Sequence, residues 1–449
     1  MKIVHLIAGA GPMYCGSCMH GNTLAAALRQ AGADILLAPL YTPLRTDEEN
    51  VSIQRLAMGG INVYLDESLP LWRSIPAFLR RLLDRPALVS WAARRGGSTR
   101  PEQLGRLAVA MLRGEAGPLK NDVQQLVDWL QAEVRPDVVH LSNVMLAGLA
   151  LPLGQRLGVP VIATLSGEDS FLEKLPAPYC AQARDELRAR TADLAGLVAM
   201  CRFYADFMAD YLAVPREKID VIRPGLNLAG HAQQREAGGH ENPRPKVIGF
   251  FGRICADKGL HLLVDALHAM SEAGNAPFYR LRVAGYLDHA DRAYLAEIQK
   301  RVRFWGMADR FEYAGELDRV GKIAFLRSLD VLCLPSVIRE SKGLSALEAW
   351  ASGVPTVLPD HGAFSELVAD TGGGLLYDPQ CPGALAEALA RILRDDAFAD
   401  ECGRRARHAV HERYTSQRES REMLALYERV CSERTSLKLT LSPSEQRHR

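Results

Sequence analysis

The run Val331-Leu332-Cys333-Leu334-Pro335, then Arg339-Glu340-Ser341-Lys342-Gly343-Leu344-Ser345-Ala346-Leu347-Glu348, then Thr356-Val357-Leu358 decides how this chain folds. Two short apolar runs flank a polar loop and a helical segment, so the order is strand, loop, helix, strand. The helix begins at Gly343-Leu344-Ser345, and two glutamates, Glu340 and Glu348, stand with seven residues between them. A helix start presents free backbone N–H groups and a partial positive charge, which suits a phosphate. Each carboxylate can accept two hydroxyl hydrogen bonds, which suits a sugar or a ribose. Together they read as a site for a nucleotide joined to a sugar.

The same alternation recurs on both sides of this stretch. In the first half the β runs are Ile3–Ala8, Ile35–Pro39, Val138–Leu141, Val161–Thr164, Gly196–Met200 and Ile219–Ile222. In the second they are Val247–Phe251, Arg280–Ala284, Phe311–Ala314, Val331–Leu334, Thr356–Leu358 and Gly374–Tyr377. Short strands alternating with helical patterns predict parallel sheets with crossover helices, hence an α/β fold. Residues 230–245 are polar, punctuated by Gly and Pro and without periodicity, which predicts a linker between domains at 1–229 and 246–415. A last helix is expected at about 416–433, followed by a polar, disordered tail at 435–449.

One region breaks the alternation. Residues 65–133 read as a helical insertion, and between Arg73 and Arg100 seven arginines stand against one acid, Asp84. Two readings remain open for 71–100: a basic amphipathic surface on an anionic membrane, or a helical subdomain with solvated arginines. Pro76 and Pro86 would interrupt a long membrane-lying helix.

Composition bounds the rest. With 449 residues, 48% hydrophobic and 24% charged, the chain is expected to be a globular protein of two or three domains. A formal net charge of +1 gives no reason to expect nucleic-acid binding. No apolar stretch has the length of a membrane span, and Met1–Ile7 reads as a first strand rather than a signal peptide. Nine scattered cysteines predict reduced thiols in a cytoplasmic protein. Cys15 and Cys18 form a Cys-x-x-Cys pair, but no second such pair completes a metal site.

A second motif follows the first strand of the second half: Gly252-Arg253-Ile254-Cys255-Ala256-Asp257-Lys258-Gly259. Ligands of open α/β sheets bind at the carboxyl ends of strands, which places Arg253 and Lys258 where a guanidinium and an ammonium can grip a diphosphate. The alternative is a strand-end turn with two solvated cations. A third motif is the glycine loop Ala8–Asn22, leading into a helix expected at Thr23–Gln30. It fails the dinucleotide fingerprint: Tyr14 stands where the third glycine belongs, and the second strand ends in Ala38-Pro39-Leu40 with no acid for a ribose. Both departures count against a nicotinamide-dependent oxidoreductase and leave a loop that lets a substrate approach the backbone.

With these residues in view, the chain resembles glycosyltransferase family 4 (group 1), the retaining enzymes of the GT-B architecture. The family's spaced glutamate pair is similar to Glu340 and Glu348, and its Gly-Arg…Lys-Gly turn to Gly252, Arg253, Lys258 and Gly259. Its small-residue-plus-glutamate ending is similar to Gly362–Glu366, and its glycine followed four residues later by histidine to Gly16 and His20. Pro224-Gly225-Leu226-Asn227 resembles its Pro-Asn-Gly turn with the order altered.

The resemblance implies two Rossmann-like domains whose parallel sheets face across a cleft, the helical insertion lying in the N-terminal one. It implies a hexose-type transfer from a UDP- or GDP-sugar, a substrate rather than a cofactor, without a metal. Glu340, Arg253, Lys258 and His20 would carry the reaction, with Gly16, Gly252, Gly343, Leu344, Ser345 and Glu348 as further donor contacts. Within that set, Glu348 would hold the ribose and Glu340 the transferred sugar. No Asp-x-Asp metal clamp occurs in the sequence.

Two departures stand out. Ser341-Lys342 replace the family's usual Pro-Phe, so donor preference does not carry over. Ser166-Gly167-Glu168-Asp169 stand where many members place an acceptor-side histidine. Ser166, Glu168 and Asp169 are therefore candidates to position the acceptor or take its proton, or Ser166 and Asp169 merely cap a helix. The acceptor, a saccharide, lipid or small molecule, is not specified, and peripheral contact at the inner membrane face through 71–100 would suit a lipid. The alternative function is a non-catalytic sugar-nucleotide or glycan-binding protein on the same fold.

Overall fold

The computed structural model describes residues 1–9, 11, 13–58, 101–231, 244–274 and 278–440. They form two compact units, one of Met1–Gly225 with the chain from Ser416 onward, the other of Leu226–Thr415.

The first unit holds a six-stranded sheet of β1 (Lys2–Ile7), β2 (Asp34–Pro39), β3 (Val138–Leu141), β4 (Val161–Thr164), β5 (Gly196–Ala199) and β6 (Ile219–Val221). Their order is β2-β1-β3-β4-β5-β6, all parallel. β3, β4 and β5 are buried at every position, which is why they read as unbroken runs rather than alternating ones. The helices are α1 (Gly16–Gln30), α2 (Pro101–Arg113), α3 (Lys120–Trp129), α4 (Ala150–Leu157), α5 (Glu168–Leu172), α6 (Tyr179–Thr191) and α7 (Arg202–Leu212). The C-terminal helix, Ser416–Thr440, adds Met423, Leu426, Tyr427 and Val430 to a core with Ile3, Ile7, Leu24, Leu28 and Ile35.

The second unit repeats the plan with β7 (Lys246–Phe251), β8 (Tyr279–Ala284), β9 (Phe311–Gly315), β10 (Val331–Cys333), β11 (Thr356–Pro359) and β12 (Gly374–Tyr377). Their order is β12-β11-β10-β7-β8-β9, again all parallel. Its helices are α8 (Leu260–Glu272), α9 (Arg292–Phe304), α10 (Arg319–Arg327), α11 (Leu344–Ala351), α12 (Ala363–Thr371), α13 (Ala384–Arg394) and α14 (Asp396–Arg413). This is the doubly wound order of nucleotide-binding sheets, with its reversal between β7 and β10; in the first unit the reversal falls between β1 and β3. Crevices for ligands open at such points, at the carboxyl ends of the strands.

Two expectations are corrected. The helix after β1 begins at Gly16, not Thr23, because Gly21 is not a turn residue. It packs flat on the sheet, where a Cβ would come within 2.9 Å of Ile7 and 3.3 Å of His5. The C-terminal helix also runs to Thr440, through the start of the tail expected to be disordered from 435. Arg434 anchors it to the Gly154 carbonyl (2.6 Å), and the Thr435 and Ser436 hydroxyls donate to carbonyls four residues back. Of the expected insertion, the described part from 101 on is mostly helical: α2, a short turn at 114–119, α3 and a further turn over Leu130–Val134. The basic segment 71–100, most of the linker 230–245 and residues 441–449 lie outside the described residues.

Candidate active site

The site in the second unit is built where its sheet order reverses. The turn after β7 and the loop after β10 are clasped together: the Val337 N–H donates to the Asp257 carbonyl (2.8 Å). Gly259 makes the approach possible, since at φ +76° a Cβ there would overlap the Pro335 carbonyl. The clasp delivers the Lys258 ammonium to the Glu340 carboxylate as an ion pair, and the buried Ser336 hydroxyl donates to the same oxygen (2.9 Å). A third segment closes the cradle: the Ala363 N–H donates to the Glu340 carbonyl (2.7 Å). Gly362, at φ +62°, lies so close that a Cβ would meet the Glu340 backbone at 2.8 Å.

Burial alone would push the Glu340 carboxyl up. The charge and hydrogen bond of Lys258, the Ser336 hydroxyl and the charge of Lys342 outweigh it and hold the group below its ordinary value. Glu340 is therefore a fixed anion and hydrogen-bond acceptor near neutral pH. Arg253 occupies the outer side of the same turn, its side chain 41% exposed, with Nε against the Cys255 sulfur (3.2 Å) and a guanidinium nitrogen 3.8 Å from Asp257. Around Gly252 there is open space where a Cβ would be, so a ligand can approach its backbone.

Gly343 starts α11 in the left-handed region, φ +65°, where a side chain would also collide with Leu367. The next N–H groups, of Leu344 and Ser345, belong to the helical turn that has no acceptor within the helix. Glu348 lies farther along α11, and its carboxylate takes a hydrogen bond from Lys322 of α10 (2.6 Å). Both members of this pair are largely buried, with side chains 5% and 13% exposed. Ser341 and Lys342, the departures from the family pattern, are buried as well.

In the first unit Gly16 opens α1 and His20 lies one turn further in. His20 Nε2 is 2.7 Å from Glu419 of the C-terminal helix, whose other oxygen accepts from the Gly225 N–H (2.8 Å). Beneath it, His5 and His140 pair across β1 and β3 and stack with ring centroids 4.3 Å apart. His140 bonds Tyr427 (2.9 Å) and Thr164 (2.8 Å), whereas neither ring nitrogen of His5 has a hydrogen-bond partner among the described residues. Burial, reinforced by the neighbouring His20, pushes His5 down to about 3. His140 is lowered by burial and by the charges of His5 and His20.

Ser166, Glu168 and Asp169 are brought together, but not as helix caps: Gly167 occupies the N-cap of α5, without a side-chain cap. Glu168 is buried and accepts from the Ser166 N–H (2.7 Å), the Ser166 hydroxyl (3.0 Å), the Val144 N–H (3.3 Å) and, more distantly, Tyr204 (3.4 Å). Asp169 accepts from the Tyr204 hydroxyl at 2.7 Å. Burial, with Glu168 and Asp169 alongside, holds the Tyr204 phenol well above its usual pKa, so it stays a donor.

Three site residues were missed by sequence reasoning: Lys322, Ser336 and Glu419. Two of them left a trace. Glu419 falls on the stripe 419-423-426-427-430, the buried face of the C-terminal helix, and Lys322 sits beside Ile323, Phe325 and Leu326 on the buried face of α10. A charge on such a face predicts a partner. No helix among the described residues is long and apolar enough to cross a membrane.

Comparison with known proteins bears on the family and the fold. The sequence profile of glycosyl transferases group 1 matches residues 233–409, and that of glycosyltransferase family 4 matches 71–229. D-inositol 3-phosphate glycosyltransferase of Jonesia denitrificans is 30% identical over 405 residues, covering 83% of this chain and 91% of that protein. Sucrose-phosphate synthase of Thermosynechococcus elongatus superposes with a TM-score of 0.69 at 19% identity, covering 96% of this chain and 100% of that one. Anabaena HepE in complex with UDP-glucose gives a TM-score of 0.61 at 15% identity, covering 95% and 100%. Both sheets thus have the GT-B fold, and the chain belongs to the group 1, family 4 glycosyltransferases.

Proposed function

We propose that this glycosyltransferase moves a hexose-type sugar from a UDP- or GDP-sugar to a hydroxyl acceptor with retention of configuration and without a metal ion. The observation that carries this is the Glu340 carboxylate, pinned by Lys258 and Ser336 where the strand order reverses and directly before the start of α11. In this reading Glu348 holds the ribose hydroxyls and Glu340 those of the transferred sugar. Arg253, Lys258 and the N–H groups of Leu344 and Ser345 hold the diphosphate, with Gly252 and Gly343 leaving room for it. Two cations and a helix start oppose the charge that grows on the departing nucleoside diphosphate, the task a metal serves elsewhere. The relative that binds UDP-glucose supports a nucleotide-sugar donor.

In the first unit, Gly16 opens α1 and His20, oriented by Glu419, offers a polar contact to substrate. Glu168 shapes the loop after β4, which leaves the half-buried Asp169 to meet the acceptor. A lipid-linked acceptor would draw 71–100 to the inner face of the membrane from the cytoplasm.

A panel of UDP- and GDP-sugars, with release of nucleoside diphosphate followed in EDTA and product anomers read by proton NMR, tests the reading. One donor is expected to be consumed in EDTA with its anomeric configuration kept. An inverted product, or activity abolished by EDTA and restored by a divalent cation, contradicts it.

A further inference from the structure

We propose that Lys322 is a positioning residue for nucleotide recognition, holding the Glu348 carboxylate in one orientation for the ribose; this rests on the reading of Glu348 given above. Among the described residues Lys322 is the hydrogen-bond partner of that carboxylate, at 2.6 Å. The bond engages Oε1, so a ribose diol has the other oxygen to address.

The placement of Lys322 is not explained by stability. It lies 4% exposed on α10 among Ile323, Phe325 and Leu326, a face that an apolar side chain would fill. Replacing a buried ion pair by apolar residues of similar size is commonly neutral or stabilising. Other cations stand nearby: burial, and then the charges of Arg319, Lys322 itself, His411 and Arg407, push His231 down to about 4. An ammonium put into such a site without a task would be desolvated and repelled. Facing Glu348, it does something an apolar residue cannot, which is to fix the rotamer of the carboxylate before a nucleotide arrives.

The test compares UDP, GDP and inorganic pyrophosphate, since pyrophosphate has the charges of the diphosphate but no ribose. With the full-length protein, Lys322→Met is expected to weaken the preferred nucleoside diphosphate about tenfold or more and pyrophosphate less than twofold. In turnover, KM for the donor should rise by a similar factor with kcat within threefold, the pattern of a contact made equally in ground and transition states. Lys322→Arg should recover part of the loss.

The double variant Lys322→Met/Glu348→Gln leaves no buried unpaired charge and covers the case in which the single variant fails to fold. If Lys322 acts through Glu348, it binds nucleotide as Glu348→Gln does. A double variant clearly weaker than Glu348→Gln, or equal loss of pyrophosphate and nucleotide, overturns the inference. So does full nucleotide affinity in a folded Lys322→Met when Glu348→Gln is impaired. Unchanged affinity in Glu348→Gln itself would instead overturn the ribose reading.

Discussion

The two units share a parallel six-stranded plan but fill the points where strand order reverses in opposite ways. Between β7 and β10 the second unit pairs opposite charges: half-buried Glu340 with Lys258, and nearby the more deeply buried Glu348 with Lys322. Between β1 and β3 the first unit buries neutral polar rings, His5 stacked on His140, with Thr164 and Tyr427 as hydrogen-bond partners. The contrast follows from what each proposed role needs. A diphosphate and sugar hydroxyls call for fixed charges of both signs, whereas the buried anions of the first unit, Glu168 and Glu419, are taken up by backbone N–H groups and His20 of that unit itself. The same sheet serves both because chemistry resides in the loops and the sheet only aims them.

The largest effect that would sharpen this contrast lies in the charged half. Glu340→Gln keeps the shape but removes the anion, and losing charge-assisted hydrogen bonds of about 1.5–3 kcal/mol each should cost roughly 100-fold in kcat/KM. Arg253→Ala should fall in the same range, with nucleoside diphosphate affinity lost alongside. Full activity in either variant would place the donor elsewhere.

In the first unit a comparable substitution should act on stability. Glu168→Ala strands the Val144 and Ser166 N–H groups, and melting should show a loss of about 3 kcal/mol. A variant that melts normally but cannot transfer would move Glu168 from loop architecture to chemistry.

A smaller effect distinguishes the buried rings. Because His5 is lowered to about 3 in the fold, the unfolded chain takes up a proton below about 6.5 that the fold refuses. Stability therefore falls as pH drops from 6.5 toward 3. His5→Phe removes that loss, so its stability relative to the parent should improve by about 2 kcal/mol between pH 7.5 and pH 5. A pH-independent difference would mean that His5 is accessible to protons in the fold.

Sequence legibility differed between the halves for the same physical reasons. Val161-Ile162-Ala163-Thr164 and Val331-Leu332-Cys333 announced themselves because strands buried on both faces must be apolar throughout. Glu340, Lys258 and the start of α11 could be found because each follows closely on an apolar strand run, at the carboxyl end where ligands of open α/β sheets bind. The partners that orient the site left only a charge on an apolar helix face, with nothing to say what it meets. Glu419 reaches His20 across 399 positions and Lys322 reaches Glu348 from a different helix, contacts that only tertiary packing creates. The glycine loop was drawn through to Asn22, seven residues into the helix, whereas at Gly21 the missing side chain serves helix-to-sheet packing.

Amide hydrogen exchange with saturating UDP or GDP tests the division of labour most directly. The strongest protection is predicted in residues 252–259 and 336–348, with much weaker change in 166–172 of the first unit. Protection concentrated in 16–24 and 166–172, with 252–259 and 336–348 unchanged, would contradict the assignment of the nucleotide to the charged crevice.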